Sequence, residues 1–186
     1  ILTTLPEYLD LFLITASAAS QVLEPGIFLF TQAVNFQEAG LTLVLGNNLD
    51  LGGDGSRNGV GKTTLINALS YALYGNAITN IRKNNLINKT NNKGMLVSVE
   101  FEVNGVNYRI ERGRSPNVLK FLVNDTNAVE ETDEGQGEMR LTQLEIERVF
   151  GMNHIMFKHL IALNTYNEPF LALSANNQRD IIENLL

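Results

Sequence analysis

One short stretch limits the fold more than any other. Residues 56–64 read Ser-Arg-Asn-Gly-Val-Gly-Lys-Thr-Thr, between an apolar run at 41–45 and a run with helical spacing at 65–73. In a strand, loop and helix unit of this kind, the backbone N–H groups of the glycine-rich turn and the positive end of the helix dipole surround an anion. A lysine and a hydroxyl then complete the site. In this chain Lys62 would reach the terminal phosphates of a nucleotide and Thr63 would hold Mg²⁺.

The stretch departs from the standard pattern twice. Five residues before Gly61 the pattern asks for glycine, and Ser56 stands there, with Gly55 adjacent. Fourteen residues, 47–60, separate Gly46 at the end of the apolar run from Gly61, where a standard loop has about four. An ordinary glycine-rich surface loop before an amphipathic helix would explain neither Lys62 nor the paired threonines.

With 186 residues the chain is long enough for one domain with a real core, or one domain plus a fragment. It has no cysteine, which excludes disulfides and thiolate metal sites and suits a reducing cytoplasm. His154 and His159 are five apart in an apolar stretch. That is not the i, i+4 spacing of a helical metal site, so they read as structural or surface residues.

The net charge of −6 argues against a nucleic-acid binder, but the charges are segregated. Residues 79–120 hold eight basic side chains (Arg82, Lys83, Lys89, Lys93, Arg109, Arg112, Arg114 and Lys120) against three acidic ones. Residues 121–150 hold eight acidic against two basic. Two solvated faces account for this; so does a basic surface for a polyanion beside an acidic insert.

Residues 1–30 are apolar and rich in small side chains, and their longest uncharged stretch, 11–23, is too short to span a bilayer. No basic residue precedes Arg57, so the charged start of a secretory signal is missing too. This part reads as a helix or as an ill-fitting leader. From residue 31 the pattern is α/β: a short strand at 33–36, a buried strand at 41–45 and a helix at 62–74 capped by Gly75. An asparagine-rich connection, 76–92, follows. The period then becomes two over 95–103 and 106–112, with Asn104-Gly105 between them as a type I′ hairpin turn. A third strand, 118–123, closes an antiparallel meander. Beyond a glutamate-rich loop, helices are expected at 141–150, ending at Gly151, at 154–163, and from Ser174 as N-cap to 186, where the last helix looks cut.

The order of these parts resembles a known family. It combines the phosphate-loop helix, Leu65-Ile66-Asn67, the meander with Tyr108-Arg109-Ile110-Glu111-Arg112-Gly113-Arg114 and Pro116-Asn117, then Phe150-Gly151-Met152 with Phe157-Lys158, and Pro169-Phe170-Leu171 leading to Arg179 and Glu183. The stretch 31–186 is similar to the N-terminal half of the ATPase head of SbcC-type DNA double-strand-break repair proteins. It is most similar to the large subunit of tailed-phage recombination endonucleases, whose members include a like insertion before Arg57-Asn58-Gly59.

The resemblance implies an α/β fold, the N-terminal lobe of an ABC-type P-loop ATPase head, with phosphate loop 46–64, β meander 95–124 and helical part 139–186. The last part would lead towards a coiled coil and a second lobe that are missing here. It implies ATP and Mg²⁺ as cofactors. By position, Asn58, Gly59, Gly61, Lys62, Thr63 and Thr64 would bind phosphates and Mg²⁺, with Arg57 and Val60 in the same cofactor-binding loop. It implies as partners a second head, a metallo-nuclease subunit and double-stranded DNA, in the cytoplasm of a phage host, with no membrane.

Where the family has a glutamine sensing the γ-phosphate, this chain has Leu163-Asn164-Thr165-Tyr166-Asn167; Asn164 or Thr165 could take its place. Residues 1–30 lack the family's opening strand and suggest a non-homologous leader, for instance from an upstream frame error. The nearest match to the acidic catalytic motif, Phe121-Leu-Val-Asn-Asp125, lies in a turn sequence. Leu173-Ser174-Ala-Asn-Asn-Gln178 lacks the glycines of the signature loop and reads as a helix cap.

Three functions follow. The first is the ATP-binding half of a DNA repair and recombination ATPase, with Lys62 as the catalytic lysine and little activity in this fragment alone. The second is a self-contained small P-loop NTPase or kinase using Asp125. The third is a non-enzymatic DNA-binding module acting through Arg82, Lys83, Arg112 and Arg114.

Overall fold

The alternating stretch after residue 94 builds the sheet on which everything else is arranged. A computed structural model describes residues 9–18, 32–35, 43–45, 62–87, 92–131, 136–163 and 168–183. Strands β3 (Met95–Val103) and β4 (Val106–Arg114) meet at Asn104 and Gly105, whose φ angles of 52° and 77° are the positive pair that a type I′ turn needs. β5 (Val118–Val123) pairs with β4. A second turn with positive φ, 49° at Asn124 and 60° at Asp125, then leads into a further strand, β6 (Thr126–Glu131). The meander therefore runs one strand beyond the third strand expected at 118–123. Asparagine and aspartate tolerate the left-handed region without glycine, and the glutamates of β6 masked its strand character.

Residues 9–18 form a strand, β1 (Leu9–Ala18), and not the expected helix. β1 runs antiparallel along β3 from Leu9 opposite Val103 to Ala18 opposite Met95, and β2 (Gln32–Asn35) pairs with its other edge. The sheet order is β2-β1-β3-β4-β5-β6. Leu9, Leu11 and Leu13 already have strand period, and an edge of β3 left bare would expose a row of N–H and C=O groups. A second correction concerns the apolar run at 41–45. Residues 43–45 carry no strand pairing, and Leu43 and Leu45 are 78% and 65% exposed. No described strand runs beside them to take their hydrogen bonds or cover their side chains.

Two helices lie against the sheet, and the alternation along β3 shows which face is covered. On β3, Val97, Val99, Phe101 and Val103 are buried while Ser98, Glu100 and Glu102 between them are half-exposed. Helix α1 (Lys62–Tyr74) covers the buried face with Leu69, Ala72 and Leu73, and α2 (Gln136–Phe150) with Ile146 and Phe150. Tyr108 is stacked between Phe101 and Phe121, with centroids at 5.4 and 5.6 Å. Full burial of each such aromatic is worth roughly 1.5–3 kcal/mol.

Both long helices stop at a glycine with positive φ, Gly75 (66°) and Gly151 (74°). The expected helix at 154–163 is shorter and wider. α3 (His154–Met156), capped by the Asn153 side chain, passes into a π-helical turn, Phe157–Ile161, in which the Ala162 N–H donates to the Phe157 carbonyl at 2.8 Å. α4 (Ala175–Glu183) starts at Ser174, whose carbonyl accepts from the Gln178 N–H at 3.0 Å. No described helix is long and apolar enough to cross a membrane.

Candidate nucleotide-phosphate site

The two ends of α1 differ in chemistry. From Asn67 to Tyr74 every residue is buried, whereas Lys62, Thr63 and Thr64 in the first turn are exposed. The first turn holds no acidic side chain. The leading N–H groups of a helix have no intrahelical acceptor and carry the positive end of the dipole. An anion therefore fits at this end, with the Lys62 ammonium and the Thr63 hydroxyl on the same turn. The other expected loop residues, Arg57, Asn58, Gly59, Val60 and Gly61, and Asn164 in the segment after the π turn, lie outside the described residues.

Midway along α1, Asn67 holds the chain that leaves the helix. Its Oδ1 accepts from the backbone N–H groups of Ile78 and Thr79 at 3.1 and 3.3 Å, and its Nδ2 donates to Thr79 Oγ1 at 3.1 Å. One turn later Ser70, fully buried, donates to the Asn76 carbonyl at 2.8 Å. Asn67 belongs to the Leu65-Ile66-Asn67 run of the resemblance, with no role attached to it there, and Ser70 stands out in the sequence only as a polar residue inside an otherwise apolar helix.

The basic side chains split into two groups. Arg112 points into the molecule from β4: its Nε donates to the Ala72 carbonyl at 2.9 Å and its Nη2 to Gln143 Oε1 at 2.5 Å. Burial pulls its pKa down to about 10, opposed by the Tyr71 and Glu147 charges, so it stays a cation at neutral pH. This guanidinium is spent inside the fold, which corrects its expected place on a polyanion-binding surface. Arg82 and Lys83 are exposed, and Arg114 donates to Asn84 Oδ1. Partial burial, and then the charges of Arg112 and Arg114, hold Lys83 below the usual lysine range.

Asp125 sits 81% exposed in the β5–β6 turn, 3.3 Å from Arg109, which also binds Glu100 at 2.7 Å. These three, with Phe101, Asn107 and Tyr108, line a cavity of about 300 Å³ at the hairpin end of the sheet. Arg109 pairs with both of its carboxylates. Among the described residues no cluster of three or more His, Cys, Asp or Glu side chains could hold a metal ion.

The sequence Gly61-Lys62-Thr63 at the start of a helix whose first turn holds no acidic side chain, beside an antiparallel sheet, defines the class as a P-loop ATPase. A family model described as an AAA domain matches residues 26–186, and the chain belongs to that family. It is 36% identical over 131 residues to exonuclease subunit 2 of Enterobacteria phage T4 and 34% identical over 131 residues to exonuclease subunit 2 of Escherichia phage RB69. Each match covers 70% of this chain and 22% of the relative. The DNA double-strand break repair Rad50 ATPase of Archaeoglobus fulgidus is 39% identical over 56 residues, 30% of this chain and 6% of that protein. The resemblance read from the sequence, to double-strand-break repair ATPases and their phage branch, is borne out. The chain spans about a fifth of the length of the phage relatives it matches.

Proposed function

We propose that this chain is the ATP·Mg²⁺-binding half of a DNA repair and recombination ATPase, the N-terminal lobe of an ABC-type head that regulates a partner nuclease in the processing of double-strand ends. The observation that carries the reading is the exposed first turn of α1, with Lys62, Thr63 and Thr64 at a helix end that has no acidic residue. The names of the relatives, an exonuclease subunit and a repair ATPase, support the nuclease and DNA parts.

In this reading the backbone N–H groups of residues 58–64 cradle the phosphates. Lys62 offsets charge on the terminal phosphate oxygens and the Thr63 hydroxyl is a ligand for Mg²⁺. The bound ATP·Mg²⁺ supplies the phosphoryl group that water attacks. Arg57, Val60 and Asn164 belong to the same site by position. The water-activating carboxylate comes from a second lobe and the remaining contacts from a second head, so this lobe is a binding half-site. A coiled coil joins the two lobes. The setting is a phage host's cytoplasm.

Arg82, Lys83 and Arg114 are the cations we assign to the duplex backbone. They share one corner of the fold, and no carboxylate among the described residues pairs with them.

The test uses the full-length protein with its nuclease partner on linear duplex DNA. Lys62→Ala is expected to abolish any effect of ATP on end processing. An ATP effect that persists in this variant would contradict the proposal.

A further inference from the structure

We propose that Arg112 is a positioning residue for the phosphate site: together with Gln143 it fixes the carboxyl end of α1, and thereby sets where Lys62 and Thr63 stand at the amino end. The inference rests on the nucleotide reading above and adds a residue to it.

The last four carbonyls of a helix have no donor within the helix. In α1 all four are satisfied. Tyr71 O accepts from the Gly75 N–H at 2.8 Å and Tyr74 O from Asn76 Nδ2 at 3.2 Å, both local. The middle two are served from other elements: Ala72 O by Arg112 Nε of β4 at 2.9 Å, and Leu73 O by Gln143 Nε2 of α2 at 3.1 Å. Gln143 Oε1 accepts from Arg112 Nη2, and Gln143 Nε2 also donates to Glu147 Oε1 at 2.7 Å. One guanidinium and one amide thus join α1 to the sheet and to α2 at a single point.

The residue types are those the task requires. Arginine presents donors along two edges of a rigid plane, so Ala72 O and Gln143 Oε1 are held at once, which the single ammonium of lysine cannot reproduce. A partly buried cation also complements the negative end of the helix dipole. The backbone of α1 is shaped to receive it. A Cβ on Gly75 would stand 2.7 Å from Arg112 Nη1, and the φ of +66° there already favours glycine.

The consequence at the other end is geometric. A helix of 13 residues is a rod about 20 Å long, so a tilt of ~3° at one end displaces the other by ~1 Å. Misplacements of that size cost up to about a hundredfold in the rate of a positioned reaction.

The experiment is equilibrium titration of the full-length protein with Mg²⁺ and ATPγS, with thermal unfolding followed in parallel. Arg112→Lys keeps the charge and is expected to weaken binding about tenfold, as a misplaced rather than missing site would. Ile146→Val trims the core beneath α2 without touching a carbonyl of α1, and is expected to bind as wild type even where its melting temperature falls as far. Wild-type affinity in Arg112→Lys, or equal weakening in Ile146→Val, would overturn the inference. Should Arg112→Lys not fold, Gln143→Met decides: weakened binding supports the clamp and unchanged binding overturns it. Absence of binding by the wild-type protein would overturn the nucleotide reading itself.

Discussion

His154 Nε2 lies 3.1 Å from Ser70 Oγ, joining the start of α3 to the buried face of α1 across 84 positions of sequence. The serine's one proton goes to the Asn76 carbonyl, so Nε2 is the donor, and the imidazole also packs on Tyr74 at 5.2 Å between centroids. Burial, then the charges of Lys158 and Lys83, hold the His154 pKa below its ordinary 6.5. The unfolded chain therefore binds the proton more readily, and stability falls as pH drops through ~6.5 towards the lower folded value. His159, also held down mainly by burial, acts in the same direction. Thermal unfolding between pH 7.5 and 5.5 is expected to show a falling melting temperature, with a shallower slope in His154→Gln. Equal slopes in the two proteins would count against this origin.

Asn67→Ala removes the acceptor for two backbone N–H groups and the donor to Thr79 Oγ1. A buried donor left unpaired costs ~1–3 kcal/mol, so a loss of about 2 kcal/mol is expected in urea unfolding. Hydrogen exchange should accelerate at Ile78 and Thr79 before it does at Val99 or Ile110 in the sheet. Uniform acceleration would place the role of Asn67 elsewhere.

Parts of the fold were open to a reader of the sequence because their physics is local. Asn104-Gly105 dictates its turn, Gly75 and Gly151 dictate helix ends, and Lys62 to Tyr74 carries its own period and cap. What was missed depends on partners distant in sequence. β1 looks like a helix until the free edge of β3 is there to pair with it. Residues 43–45 look like a buried strand, but no described strand flanks them. Arg112 is one of several arginines in a basic stretch, and only the arrival of α1 and α2 on the same face gives its guanidinium Ala72 and Gln143. On the site itself, Lys62 and Thr63 were legible from the motif, whereas the bonds that close the far end of their helix were not.

Asp125 is the residue on which a self-contained kinase would depend, and its exposed turn and ion pair with Arg109 argue against that use. In the full-length protein Asp125→Asn is expected to leave ATP turnover within about twofold of wild type and to cost at most ~0.5 kcal/mol of stability, as exposed substitutions do. A hundredfold loss of turnover would restore the kinase reading.

The most direct measurement is calorimetric titration of the full-length protein with Mg²⁺ and ATPγS, in parallel with Lys62→Ala and Thr63→Ala. Both side chains stand in the exposed first turn of α1, so the variants should unfold at the wild-type temperature. Saturable binding by wild type, lost in Lys62→Ala and made insensitive to Mg²⁺ in Thr63→Ala, is the expected result. Wild-type affinity in Lys62→Ala would contradict the phosphate site at the amino end of α1.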